Sequence, residues 1–174
     1  ETIGDPEMGI AAENVARQFG ISRQRQDEFA LRSHRLAVQA AEAGIFRPEI
    51  VEISTSHGLI ERDECPRAAT SPEALANLRP VFLPDGSVTA GNACPLNDGA
   101  CLVLVMSRGM ARSMGIDEGL AFIDSAAAGV DPNLLGIGPV ASTRKLMQRQ
   151  PGLLLAGIDA IEFNEAFAAQ VLAS

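Results

Sequence analysis

The sequence predicts an α/β protein in which a polar, largely helical excursion precedes a layered core. Three observations carry this. In the second half, short apolar runs alternate with helical patterns, the order of a layered α/β architecture. The run Ala100-Cys-Leu-Val-Leu-Val-Met106 is continuously apolar and reads as a strand buried on both faces, although periodicity alone leaves a helix open. The first half places apolar residues at helical spacing and then gives way to a long polar stretch. With 174 residues, 47% of them hydrophobic and 21% charged, the chain can bury a core in one domain or two small ones.

In chain order, Met8, Ala12, Val15 and Phe19 recur at spacings of four, three and four, predicting a short amphipathic helix that Gly20 stops. Ser22 is placed to cap a second helix running to about Ala43. There Phe29, Ser33, Leu36, Ala40 and Ala43 share one face, and the opposite face is rich in Arg, Gln and Glu. Pro48 breaks the chain, and Glu49–Ser54 reads as a short strand. In the polar stretch that follows, Ser71-Pro-Glu is a helix start, with Ser as N-cap and Pro at the first position. Leu83-Pro-Asp-Gly86 is a turn. After the apolar run, Ser107 caps a helix to about Met114, and Leu120–Ala128 reads as another buried strand. A Gly/Pro-rich loop covers 129–139, and Pro139 opens a helix to about Gln150. Ile158–Phe163 reads as a last strand, and a final helix starts at Asn164.

Composition excludes several functions. The net charge of −8 argues against nucleic-acid binding through a basic surface. Thirteen of the fourteen basic residues are Arg, which suits bidentate phosphate and carboxylate contacts. Three cysteines without a CxxC spacing indicate neither a disulfide framework nor a zinc site, and no metal is expected. Reduced thiols point to a cytoplasmic protein. No apolar run reaches membrane-spanning length. His57 has no partner at metal or triad spacing and reads as a surface residue.

The stretch Thr89-Ala-Gly-Asn-Ala-Cys-Pro-Leu-Asn-Asp-Gly-Ala100 organises the rest. Gly91 and Gly99 permit close backbone approach. Asn92, Asn97 and Asp98 bond their own backbone in turns, and Pro95 fixes φ. Such a loop feeding a buried strand either admits a ligand against the backbone or is a tight structural connection. Asn164 stands at a strand-to-helix junction, where its amide can bond a substrate oxygen or simply cap a helix.

The stretch 89–100 resembles the matching loop of the thiolase family, the acetyl-CoA acyltransferases. Met8-Gly-Ile-Ala-Ala-Glu-Asn-Val-Ala16 and Asn164-Glu-Ala-Phe-Ala-Ala169 agree with it, and the resemblance runs from Met8 to Gln170. It implies a partial, thiolase-like αβαβα layered fold with a largely helical CoA-binding loop domain. The implied divisions are 1–92 as that loop domain, 93–116 as the last strand and helix of the N-terminal core half, and 117–174 as the start of the C-terminal half.

The same resemblance implies the site. Asn164 would hold a water that, with a His, forms an oxyanion hole for a thioester carbonyl, where negative charge builds as the thioester enolises. Arg67, in the segment from Asp63 to Leu75, would lie against the adenine and phosphate end of coenzyme A, although Ala74 replaces a common Ser there. Cys94 has no activating neighbour and reads as a tunnel-wall residue rather than a nucleophile. Met8, Phe82 and Leu135 match apolar positions along the pantetheine tunnel or are ordinary core. Glu7 departs from a common His. Ala90, Ala166 and Phe167 complete the implied substrate contacts. Coenzyme A thioester enters as substrate, with no tightly bound cofactor, and the family's homodimers or homotetramers set the expectation for assembly.

The family's nucleophilic Cys, its catalytic His in a GHP motif and its second acid/base Cys in a CxGGG motif have no counterpart here. The 174-residue chain alone is therefore expected to be inactive. Three readings stand: part of a thiolase, a non-catalytic module that binds CoA or a partner subunit, or a structural domain without ligand. An opening at Glu1 without Met and an end within a helical pattern favour the first.

Overall fold

The computed structural model of the protein describes residues 7–174; Glu1, at which the sequence opens, lies outside them. Helix α1 spans Met8–Gln18 and α2 spans Arg23–Glu42, close to the expected bounds. Ser22 caps α2 as its hydroxyl oxygen accepts the Arg25 N–H at 3.2 Å. The buried face of α2 is not the one its apolar residues predict: Leu36 is exposed, whereas Gln26, Asp27, Ala30 and Leu31 are buried. The helix is rotated so that two polar side chains enter the interior: Gln26 Nε2 donates to the Ile21 carbonyl at 3.3 Å and the Ser87 hydroxyl at 3.0 Å, and Asp27 finds the partners described below.

The expected strand at Glu49–Ser54 is displaced towards its end. Strand β1 is Ile53–Thr55 and pairs antiparallel with β2, Gly58–Ile60. Residues ahead of it are held in turns, with the Glu49 and Ile50 N–H groups on the Phe46 carbonyl. The Thr55 hydroxyl shapes the hairpin, accepting the His57 N–H at 3.1 Å and donating to the Gly58 carbonyl at 2.8 Å. His57 sits exposed at the tip, as a surface residue should. Helix α3, Pro72–Ala76, begins where Ser71 accepts the Ala74 N–H at 3.1 Å. Helix α4 is Arg108–Ser113 and α5 is Gly138–Arg149. The Gly/Pro-rich loop is not featureless: Pro132–Ile137 forms a 3-10 turn packed on α1.

Helix α6, Ala168–Ala173, starts four residues later than Asn164, so Asn164 is not its cap. The three segments expected as strands, Ala100–Met106, Leu120–Ala128 and Ile158–Phe163, are not strands either. A strand exists only through a ladder of inter-strand bonds, and among the described residues β1 and β2 form the sheet that is present. Leu102–Val105 are 73–102% exposed, and Leu120, Phe122 and Ile123 are 76–104% exposed. Their composition is that of strands covered on both faces, yet this chain covers neither face. The core lies instead where α1, α2, α3 and α6 meet. Its members include Ala12, Val15, Ala16, Leu31, Leu75 and Ala169, small enough in the main to let helices approach closely.

Candidate functional site

The central loop is fixed by buried polar groups on α1 and α2. The Glu13 carboxylate, on α1, accepts the Ser87 N–H at 2.8 and 2.9 Å, the Ser87 hydroxyl at 2.9 Å and the Val88 N–H at 2.8 Å. Asp27, on α2, accepts from Asn92 Nδ2 at 3.0 Å, and Arg23 clamps it from the other side at 2.7 Å. The same guanidinium donates to the Leu75 and Leu78 carbonyls at 2.6 and 3.0 Å, tying α3 to α2. Asn92 Oδ1 accepts the Thr89 N–H at 2.8 Å, and its Nδ2 also donates to the Ser87 carbonyl at 3.0 Å. Glu13, Asp27, Thr89 and Asn92 are all buried, so each bond replaces water that is no longer there. Gly91 is closely packed: a Cβ there would stand 2.5 Å from Leu75 Cδ2 and 2.6 Å from Leu78 Cδ1, so both leucine side chains would have to shift. Gly99 faces open space and has no such role.

This loop carries the segment around Asn164. Ala93 and Phe167 form an antiparallel bridge. The Cys94 N–H donates to the Ala166 carbonyl at 2.9 Å, and the Ala168 N–H donates to the Asn92 carbonyl at 2.9 Å. Asn92–Cys94 and Ala166–Ala168 are thus in register although some seventy residues separate them. This pairing, rather than an Asn cap, sets where α6 begins. Asn164 is exposed just ahead of the paired segment, and its carbonyl accepts the Ala166 N–H at 3.0 Å.

A groove of about 200 Å³ runs beside this junction, lined among others by Ser33, His34, Cys65, Cys94 and Glu165. Glu165 accepts a hydrogen bond from the Ser33 hydroxyl on α2. His34 Nδ1 accepts the backbone N–H of Arg67 at 3.3 Å. Burial, then the Arg67 guanidinium, holds the His34 pKa below its usual 6.5, against an upward pull from Glu165. A neutral imidazole is what the Arg67 N–H needs as acceptor.

The sequence-predicted residues therefore fall into neighbouring groups. Cys94, Ala166 and Phe167 meet directly, with Asn164 beside them. Arg67 is exposed and joins the groove through His34. The Phe82 ring lies flat against Gly9, next to Met8 at the start of α1, where a Cβ would strike the ring. Met8 is 63% exposed. Leu135 is half exposed on the 3-10 turn, and Ala90 is exposed on the central loop. Sequence reasoning missed His34, Glu165 and Cys65 as groove residues. The only available signal was that Glu165 and Cys65 flank residues already singled out.

Comparison with known proteins gives the family. Residues 1–109 match the family model described as thiolase, N-terminal domain, and residues 119–174 match that for thiolase, C-terminal domain. An acetyl-CoA acetyltransferase of Pseudomonas aeruginosa is 47% identical over 178 residues, covering 99% of this chain and 45% of the relative. One from Escherichia coli is 49% identical, over 95% of this chain and 43% of the relative. The chain thus spans less than half the length of these relatives. Among solved structures, the Bacillus anthracis acetyl-CoA acetyltransferase superposes with a TM-score of 0.88 at 45% identity, covering 98% of this chain and 45% of that one. The dimeric peroxisomal thiolase of Saccharomyces cerevisiae gives 0.85 at 39%, covering 96% and 43%. The chain has a partial α/β thiolase fold and belongs to the thiolase family.

Proposed function

We propose that this chain is part of a thiolase that transfers acyl groups between coenzyme A thioesters, by Claisen condensation or by thiolytic cleavage of 3-ketoacyl-CoA. The observation that supports it most is the register between Asn92–Cys94 and Ala166–Ala168. It joins the two most distinctive stretches of the chain through their backbones, two residues after Asn164. In this reading Asn164 holds the water that donates to the thioester oxygen. Fixed donors of this kind stabilise the charge that builds on that oxygen, and one is worth about 10²–10³ in turnover. Arg67 contacts the nucleotide end of coenzyme A. Met8, Phe82, Ala90, Cys94, Leu135, Ala166 and Phe167 line the path of the pantetheine arm. The attacking thiolate and the base that activates it come from residues of the natural protein other than these. The division at 92/93 and 116/117 is retained with this reading, the first boundary falling inside the pinned loop.

Replacing Asn164 by Ala in the natural full-length protein tests the assignment. Turnover should fall by about 10²-fold, while calorimetric titration with coenzyme A should give the wild-type Kd within experimental scatter. Unchanged turnover would leave Asn164 as a loop residue only. A second reading, a CoA-binding or partner-subunit module without catalysis, gains support from the uncovered apolar runs at 102–105 and 120–123. A full-length protein that binds coenzyme A but transfers no acyl group decides for it.

A further inference from the structure

Two consecutive residues of α2 hold two different loops. Ser33 donates its hydroxyl proton to Glu165, the residue directly after Asn164. His34 accepts the backbone N–H of Arg67 through Nδ1 at 3.3 Å. The loops so held are distant in sequence from α2, by 132 and 33 residues respectively. They share one groove, into which Cys65 and Cys94 also open. Neither bond belongs to the buried network around Asp27 and Asn92, which secures the central loop about two turns earlier on α2. Both are exposed, so they contribute little to global stability, and their removal is felt locally.

We infer that Ser33 and His34 are positioning residues: one turn of α2 sets the Asn164 loop through Ser33 and Glu165, and the Arg67 loop through His34. The inference rests on the acyl-transfer reading of the site and adds to it the element that aligns its two ends. The two residues have separable effects. Ser33 acts beside the reacting carbonyl and so governs turnover. His34 acts beside the nucleotide end and so governs affinity. A pair of merely structural contacts would lack this division.

The test uses Ser33→Ala, Ser33→Thr, His34→Ala and His34→Asn in the natural full-length protein. Coenzyme A affinity is read by titration calorimetry, kcat and KM by acyl transfer, and Tm by thermal unfolding. Ser33→Ala should lower kcat about three- to tenfold, the size of one lost hydrogen bond, with the CoA Kd unmoved. Ser33→Thr, which keeps the hydroxyl, should restore kcat. His34→Ala should raise Kd and KM by a similar factor. His34→Asn should restore them, because its Oδ1 can accept the Arg67 N–H. The Tm should stay at the wild-type value in all four. Parallel losses in both parameters with a lowered Tm, or no rescue by Thr and Asn, would overturn the inference while leaving the acyl-transfer reading intact. A wild-type protein that binds no coenzyme A would overturn both.

Discussion

Asn92 shows most directly how a single residue makes the site. Its side chain accepts from Thr89 and donates to Asp27 and Ser87, and its carbonyl receives the first N–H of α6. Removing the amide strands two buried partners, on Thr89 and Asp27, and the half-buried Ser87 carbonyl. Asn92→Ala should therefore destabilise the protein by roughly 2–3 kcal/mol, measured by urea unfolding, and a loss below about 0.5 kcal/mol would mean that water replaces the amide. Asn92→Asp should not rescue it, since a second carboxylate would then face Asp27. The sequence identified Asn92 as a turn-former and Gly91 as a site of close approach, because those properties are local. It could not identify Asp27 or Glu13. A carboxylate in a helical pattern looks like any solvated residue until the chain that folds over it supplies the donors.

At the scale of elements, the helices were legible because their signals are local: Ser22, Ser71 and Ser107 each cap the helix that follows, and each hydroxyl accepts the N–H expected of it. The start of α6 was not legible, because a pairing with Asn92–Cys94 overrides the cap that Asn164 offers. The strands were not legible for a related reason. An apolar run shows that a segment is to be covered, not whether its neighbours are in the same chain. The joint between α2 and the segment carrying Arg67 also makes a pH prediction. The groups about His34 are Arg67 and Glu165, with Cys65 and Cys94 on the same groove. Its pKa in the folded protein is below 6.5, so the fold favours the neutral ring. The stabilisation is thus full above pH 6.5 and is lost as pH falls below it towards the lowered value. Protonation places an N–H on Nδ1 against the Arg67 N–H. The protection factor of the Arg67 amide against exchange should fall on acidification below that point, and His34→Asn should remove the dependence. An NMR titration of His34 with a midpoint at or above 6.5 would contradict this.

At the scale of the whole molecule, two kinds of surface are joined in one chain. The part built on α1, α2, α3 and α6 closes on itself, with Glu13, Asp27 and Asn92 paired in its interior and small residues packed. The part from Ala100 onward presents Leu102–Val105, Leu120, Phe122 and Ile123 to solvent. Side chains of this kind are worth about 25 cal/mol for each Å² removed from water, and apolar runs with unpaired backbone are templates for association. The 174-residue chain should therefore associate reversibly, or bind a hydrophobic dye such as ANS, at concentrations where the small core remains folded. Val103→Lys with Phe122→Lys should reduce both, since each places a charge at the centre of an uncovered run without touching the helical core. Sedimentation velocity with dye binding measures the effect, and the double variant should retain the helical circular dichroism of the parent. A parent chain that sediments as a monomer and binds no dye would show that these runs fold back on themselves in solution. The account of them as surfaces awaiting a covering layer would then fail, whatever becomes of the assignment of Asn164.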